Sequence, residues 1–143
     1  MKLRAPIPYF GGKHLMAGRL IPLFPEHKTY VEPFGGAGSL LFAKAPSPVE
    51  VYNDIDSDLV NFMRVLRDKD MFPDFYNRAC LSPYSRQEWL FCRDHLNDDP
   101  SPVERARRFF VVARFSFSGL IGSSFGICVT GSKGGMVQKA SAY

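Results

Sequence analysis

No apolar run in this chain of 143 residues approaches the roughly 20 that a helix needs to cross a bilayer. The opening Met1-Lys2-Leu3-Arg4-Ala5-Pro6 has no apolar core behind its charges, so neither a membrane span nor a secretory leader is expected. Cysteine is scarce. Cys80, Cys92 and Cys128 are odd in number and form no C-x-x-C pair, which argues against a disulfide framework and a zinc site and for a reducing cytoplasm. His14, His27 and His95 are scattered, and no metal is expected. Internal repeats and low-complexity tracts are also missing, and Pro46-Ser47-Pro48 reads as a connection within one domain. No two prolines are adjacent anywhere in the chain, an absence that matters below.

A hydrophobic content of 45% with 13 Phe and 6 Tyr provides for a packed core in a chain of this length. The net charge of +4 is unevenly placed: residues 51–100 hold 6 basic and 10 acidic side chains, whereas residues 101–143 hold 6 basic and 1 acidic. The basic third suits a phosphate-bearing partner, although a solvated basic face explains charge alone equally well.

The most informative stretch is Tyr30-Val31-Glu32-Pro33-Phe34-Gly35-Gly36-Ala37-Gly38-Ser39, followed by Asn53-Asp54-Ile55-Asp56. The first reads as a strand that opens through a glycine turn into a helix, and the second as the next strand, ending in acid. A carboxylate so placed accepts hydrogen bonds from ribose hydroxyls of a ligand lying over the turn. Asp54 follows Gly36 by 18 residues, near the roughly 20 of a dinucleotide fingerprint. The third fingerprint glycine is absent, because position 41 is Leu41, and no Lys-Ser or Lys-Thr pair closes the turn as in a phosphate-cradling loop. Glu32 would repel a phosphate and welcome an ammonium. The pattern therefore points to a ligand with a ribose and positive charge but no pyrophosphate, for which S-adenosylmethionine qualifies.

The remaining elements follow from spacing and breakers. Strands are expected over residues 29–32 and 49–53, and helices from 14 to the region of Pro22 and Pro25, over 38–44 and over 57–67. In the last of these Leu59, Phe62, Met63 and Leu66 form one apolar stripe, expected to pack on the sheet. Ser85-Arg86-Gln87-Glu88 and Ser101-Pro102-Val103-Glu104 read as capping boxes that start two later helices. The second should bury Val103, Ala106, Phe109, Phe110 and Ala113, leaving Arg105, Arg107, Arg108 and Arg114 for other faces. Beyond it, residues 116–126 form a Gly/Ser loop with interleaved aromatics, a composition suited to close contact with a substrate backbone.

Three segments, in order, resemble the Dam-like N6-adenine DNA methyltransferases of the D12 class, and the likeness runs over essentially the whole chain. They are Pro8-Tyr9-Phe10-Gly11-Gly12-Lys13, Val31-Glu32-Pro33-Phe34-Gly35-Gly36-Ala37-Gly38-Ser39 and Asn53-Asp54-Ile55-Asp56-Ser57-Asp58-Leu59-Val60-Asn61. The resemblance implies an α/β, Rossmann-like S-adenosylmethionine-dependent methyltransferase fold with a helical target-recognition insertion. Residues 1–70 would be the donor-binding part and 71–143 the insertion with its loop. Tyr9 would pack against the donor, Lys13 would contact it or its carboxylate, and the turn of Pro33, Phe34, Gly36, Ala37 and Gly38 would hold the methionine moiety beside Glu32. Asp54 would bind the ribose, with Ile55 against the adenine ring. Arg114-Phe115-Ser116-Phe117-Ser118-Gly119 resembles a family segment with Asn in place of Ser118. Contacts with double-stranded DNA would then fall to Arg105, Arg108, Arg114, Ser116 and Ser118, in a bacterial or phage-encoded cytoplasmic protein.

The family's catalytic motif, Asp-Pro-Pro-Tyr, is not in this sequence. Methylating an adenine amine requires a flipped base stacked on an aromatic ring, with a carboxylate and a carbonyl accepting hydrogen bonds from the amine. Ser82-Pro83-Tyr84 is the nearest imitation and reads as a lead-in to the helix capped at Ser85. Because the motif follows the insertion in family order, the chain reads as a partial enzyme with an incomplete sheet. It would depend on the missing carboxy-terminal half, or a second chain, for stability and turnover. A non-catalytic DNA- or protein-interaction module derived from such an enzyme is the alternative.

Overall fold

β-branched and aromatic residues build the strands β1 (Thr29–Glu32) and β2 (Val49–Tyr52), which pair in parallel with Thr29 opposite Val49 and Glu32 opposite Tyr52. The computed structural model describes residues 5–98 and 100–127, and among these the sheet has two strands. The described residues also form six α-helices: α1 (Ala17–Leu20), α2 (Ser39–Ala43), α3 (Ser57–Arg67), α4 (Met71–Leu81), α5 (Arg86–Asp94) and α6 (Pro102–Phe115). The chain is thus α/β with a small parallel sheet.

One face of the sheet meets α2: Glu32 accepts a hydrogen bond from the Leu41 amide, and the Lys44 ammonium lies over the Tyr30 ring. The other face carries Val31, Val49 and Val51, which stay 52%, 50% and 42% exposed. Apolar burial is concentrated elsewhere. Leu59, Phe62 and Val65 of α3 are fully buried against Phe75 of α4 and Phe109 of α6, and the Phe62 ring centroid lies 5.7 Å from Phe75 and 5.8 Å from Phe109. The stripe expected to face the sheet therefore packs chiefly on α6 and α4. Polar ties hold it there: Arg105 donates to Asp58, and Asn61 donates to the Pro102 carbonyl. A second cluster joins Trp89 and Cys92 of α5 to Val111, Val112 and Phe115 of α6. Ile7 and Ala37 belong to the first cluster and anchor the sheet region to the helices.

Caps behave as their residue types require. Ser85 accepts from the Glu88 amide and Ser101 from the Glu104 amide. The Glu88 and Glu104 side chains, however, are drawn to Arg107 and Arg108 instead of completing the boxes. The first helix is shorter than expected. Residues 13–16 form a turn, and α1 passes at once into a 3-10 turn, Ile21–Leu23, because Gly18 is a poor helix former and Pro22 has no amide to donate.

Candidate functional site

The turn that leaves β1 is held by residues at the end of β2. Asn53 donates its amide to the Glu32 carbonyl, accepts from the Gly35 amide at 2.9 Å, and donates its side-chain amide to the Pro33 carbonyl. The turn then needs glycine: Gly36 has φ +52° and Gly38, which precedes α2, has φ +68°. The Gly36 amide donates to Asp54 Oδ2 at 2.8 Å, and the Gly36 carbonyl accepts from the Tyr52 hydroxyl at 2.6 Å. Asp54 Oδ1 accepts from the Asp56 amide at 3.0 Å. Each Asp54 oxygen has thus taken one backbone donor and retains further acceptor capacity. Glu32 Oε1 accepts from the Leu41 amide and the Tyr30 hydroxyl, which sets a carboxylate against the start of α2.

The amino-terminal segment arrives from the other side. Tyr9 donates to Asp56 Oδ2 at 3.2 Å, while Asp56 Oδ1 caps α3 through the Asp58 and Leu59 amides. Burial, reinforced by Asp56, pushes the Tyr9 phenol up to about 12, so it remains a neutral donor. Its ring lies against Gly36, where an added Cβ would come to 3.4 Å.

These segments enclose a cavity of about 710 Å³. Of the residues expected to hold a ligand, Tyr9, Lys13, Glu32, Pro33, Phe34, Gly36, Ala37 and Asp54 line it. Gly38 is buried within the turn, and Ile55 stands 96% exposed beyond the lining. Phe24 and Leu40 also line it and lie outside the segments singled out in the sequence, as does the support Tyr52, whereas Phe10, Tyr30, Asn53 and Asp56 lie within those segments without a role assigned to them. The alternation of a strand carried the missing signal, since Tyr52 and Asp54 are two residues apart at its end.

Residues expected at a DNA surface divide differently. Arg105 donates to Asp58 at 2.6 Å and to Ser57 at 2.9 Å. Arg108 donates to Glu104 and the His95 carbonyl and lies over the Phe91 ring. Ser116 is buried, accepting from the Trp89 indole at 3.1 Å and donating to the Val112 carbonyl at 2.6 Å. All three side chains are committed within the fold. Arg114 has no ion pair among the described residues, and Ser118, at φ +55°, is exposed in the loop after α6 beside Phe117 and Leu120. That loop is closed at its base by the Ser116–Phe125 bridge and by Tyr84, which donates to the Gly126 carbonyl. Residues 128–143, the last part of the expected insertion, lie outside the described residues.

Residues 9–126 match the family of D12 class N6 adenine-specific DNA methyltransferases. The chain belongs to that family. It is 31% identical over 147 aligned positions to a DNA adenine methylase of Vibrio cholerae serotype O1, an alignment covering 99% of this chain and 49% of that protein. A type II methyltransferase of Lactococcus lactis subsp. cremoris is 32% identical over 126 positions, covering 84% of this chain and 44% of the relative. A DNA N-6-adenine-methyltransferase of Escherichia phage P1 is 29% identical over 119 positions, 82% of this chain and 16% of its own length. The D12 chain therefore spans half or less of the length of these relatives. Family membership makes S-adenosylmethionine the group against which the cavity is judged. Its volume lies within the range of small-ligand sites, and it offers two carboxylates, an aromatic ring, an ammonium and a glycine turn open to close approach. The donor set fits. Among the described residues no group of three or more His, Cys, Asp or Glu side chains converges as for a metal, and no described helix is long and apolar enough to cross a membrane.

Proposed function

We propose that the cavity binds S-adenosylmethionine and that the chain is the donor-binding portion of a DNA adenine methyltransferase with a Rossmann-like fold. The observation that supports this most is convergence: eight of the ten motif residues, from three separate segments, line one cavity. In this reading the remaining acceptor capacity of Asp54 takes the vicinal ribose hydroxyls, and exposed Ile55 offers an apolar surface to the adenine ring. Glu32 faces the ammonium, Lys13 the carboxylate, and Tyr9 packs along the donor. When bound, the donor supplies an activated methyl group. This chain's residues orient it and keep the turn closed around it.

Residues 1–70 form the donor part, and the helices from 71 onward belong to the recognition insertion. The insertion would meet double-stranded DNA through Arg114 and the loop at Ser118, because Arg105, Arg108 and Ser116 are engaged internally. The sequence holds no Asp-Pro-Pro-Tyr, so methyl transfer is expected only when a segment bearing it is supplied, from the same or another chain. The relatives are bacterial and phage methylases, which favours a bacterial or phage-infected cytoplasm.

Calorimetric titration with S-adenosylmethionine tests the reading. The chain should bind, and Asp54→Ala should weaken binding by about 1.5–3 kcal/mol, the value of hydrogen bonds to a charged group. Absence of binding overturns the donor site, and an unchanged affinity in Asp54→Ala removes Asp54 from it. Tritiated methyl transfer to adenine-containing DNA should be blank for the 143 residues and appear on addition of the catalytic segment.

A further inference from the structure

Tyr52 lies outside the cavity lining, yet it packs against and hydrogen-bonds the glycine turn that lines the cavity. Its ring occupies the space into which a Cβ at position 35 would project, so Gly35 is the residue that admits it. Its hydroxyl donates to the Gly36 carbonyl at 2.6 Å. Two residues on, Asp54 receives the Gly36 amide at 2.8 Å. The two peptide planes that flank the Gly36 Cα are thus each gripped, one through its amide and the next through its carbonyl, by side chains two residues apart at the end of β2, which share a face.

Glycine at φ +52° has many other conformations open to it. Without a grip on its carbonyl the peptide plane after Gly36 is free to turn, and the Cα that joins it to the preceding plane is no longer fixed, which loosens the hold of the Gly36 amide on the Asp54 carboxylate. The ordering cost would then fall on ligand binding. Burial, with Asp54 next, raises the Tyr52 phenol well above its ordinary range, and the hydroxyl remains a donor at any working pH.

We infer that Tyr52 is a positioning residue of the donor site, acting through Gly36 to preset the Asp54 carboxylate and the glycine turn for S-adenosylmethionine. The inference rests on the donor-site reading and adds a residue that neither touches the cavity nor belongs to the glycine motif.

The test is titration of the full chain and of Tyr52→Phe with S-adenosylmethionine, at a temperature where circular dichroism shows both fully folded. Tyr52→Phe keeps the ring and loses only the hydroxyl. Its dissociation constant should rise about three- to tenfold, the value of one neutral hydrogen bond. A Gly35→Ala/Tyr52→Leu double variant separates shape from grip. Removing the ring relieves the overlap that Gly35→Ala creates, so the double variant should unfold at a higher temperature than Gly35→Ala alone while its donor affinity stays low. Equal affinity in Tyr52→Phe and the unaltered chain, or full affinity in the double variant, overturns the positioning role and leaves the donor site standing. Failure of the unaltered chain to bind overturns the donor site, and the role of Tyr52 falls with it.

Discussion

The helical region and the sheet region of this D12 chain are held together by different forces. Across α3, α4 and α6 the apolar stripes meet face to face, with Leu59, Phe62, Val65 and Ala106 sealed completely and Phe109 nearly so. Around β1 and β2 three valines remain about half exposed, and order comes from hydrogen bonds that lash residues 52–54 to residues 32–36. Burial is non-directional and tolerates small shifts, whereas hydrogen bonds fix a peptide plane. The region that needs bulk stability uses the first, and the region that needs geometry uses the second. Ile7 and Ala37, with Ala5 and Tyr9 packed beside them, carry the apolar core across to the turn.

The comparison breaks if a core substitution and a site substitution change the same observable. Phe62→Ala should have the largest effect, about 3–5 kcal/mol of unfolding free energy by denaturant titration, because it opens a cavity under Phe75, Phe109 and Phe110. Any protein that stays folded should keep its donor affinity. Arg107→Ala comes next. The Arg107 side chain is 12% exposed and donates to Glu104, Glu88 and the Ser82 hydroxyl, so its removal takes from Glu88 its cation among the described residues and leaves Glu104 with Arg108 and Arg78. A loss of about 2–3 kcal/mol is expected, less than for a fully buried pair because water still reaches the site. Asp54→Ala should do the reverse, lowering donor affinity as stated above while shifting the thermal midpoint little. Ser101→Ala removes one cap and should cost about 1 kcal/mol of stability alone.

The smallest expected effect concerns pH. Burial works to raise the Glu104 carboxyl, but hydrogen bonds from Arg107 and Arg108 outweigh it and hold the group below its ordinary range. A carboxyl lowered in the folded state stabilises the fold above its unfolded pKa of about 4.3 and loses that contribution as pH falls through the folded value. The midpoint of thermal unfolding should therefore drop on acidification below about pH 4, and Glu104→Gln should flatten that part of the curve. An unaltered acid limb in Glu104→Gln would show that other carboxylates govern it.

Local signals carried most of the elements. The strand over Thr29–Glu32 and the helix over Ser57–Arg67 appear where period and breakers place them, and Ser85 and Ser101 accept the amides their positions demand. Partners distant in the chain were not legible. Arg105 reads as a free base on a helix until Asp58, 47 residues earlier, is brought beside it. Likewise the α3 stripe announces that something covers it, but hydrophobic spacing does not say whether the cover is a sheet or two helices. Ser116 looked like part of a substrate loop, and its burial beneath Trp89 became visible only once α5 and α6 were packed.

What the sequence by itself determined is the chemistry of the cavity: a glycine turn, an acid at each strand end and an aromatic-Gly-Gly-Lys segment, all local patterns whose meaning does not depend on packing. What only the tertiary structure decided is which side chains remain free to act. A charge or hydroxyl has its function settled by the partner that reaches it first, and for Arg105, Arg108, Ser116 and Tyr52 that partner lies on another element of the fold.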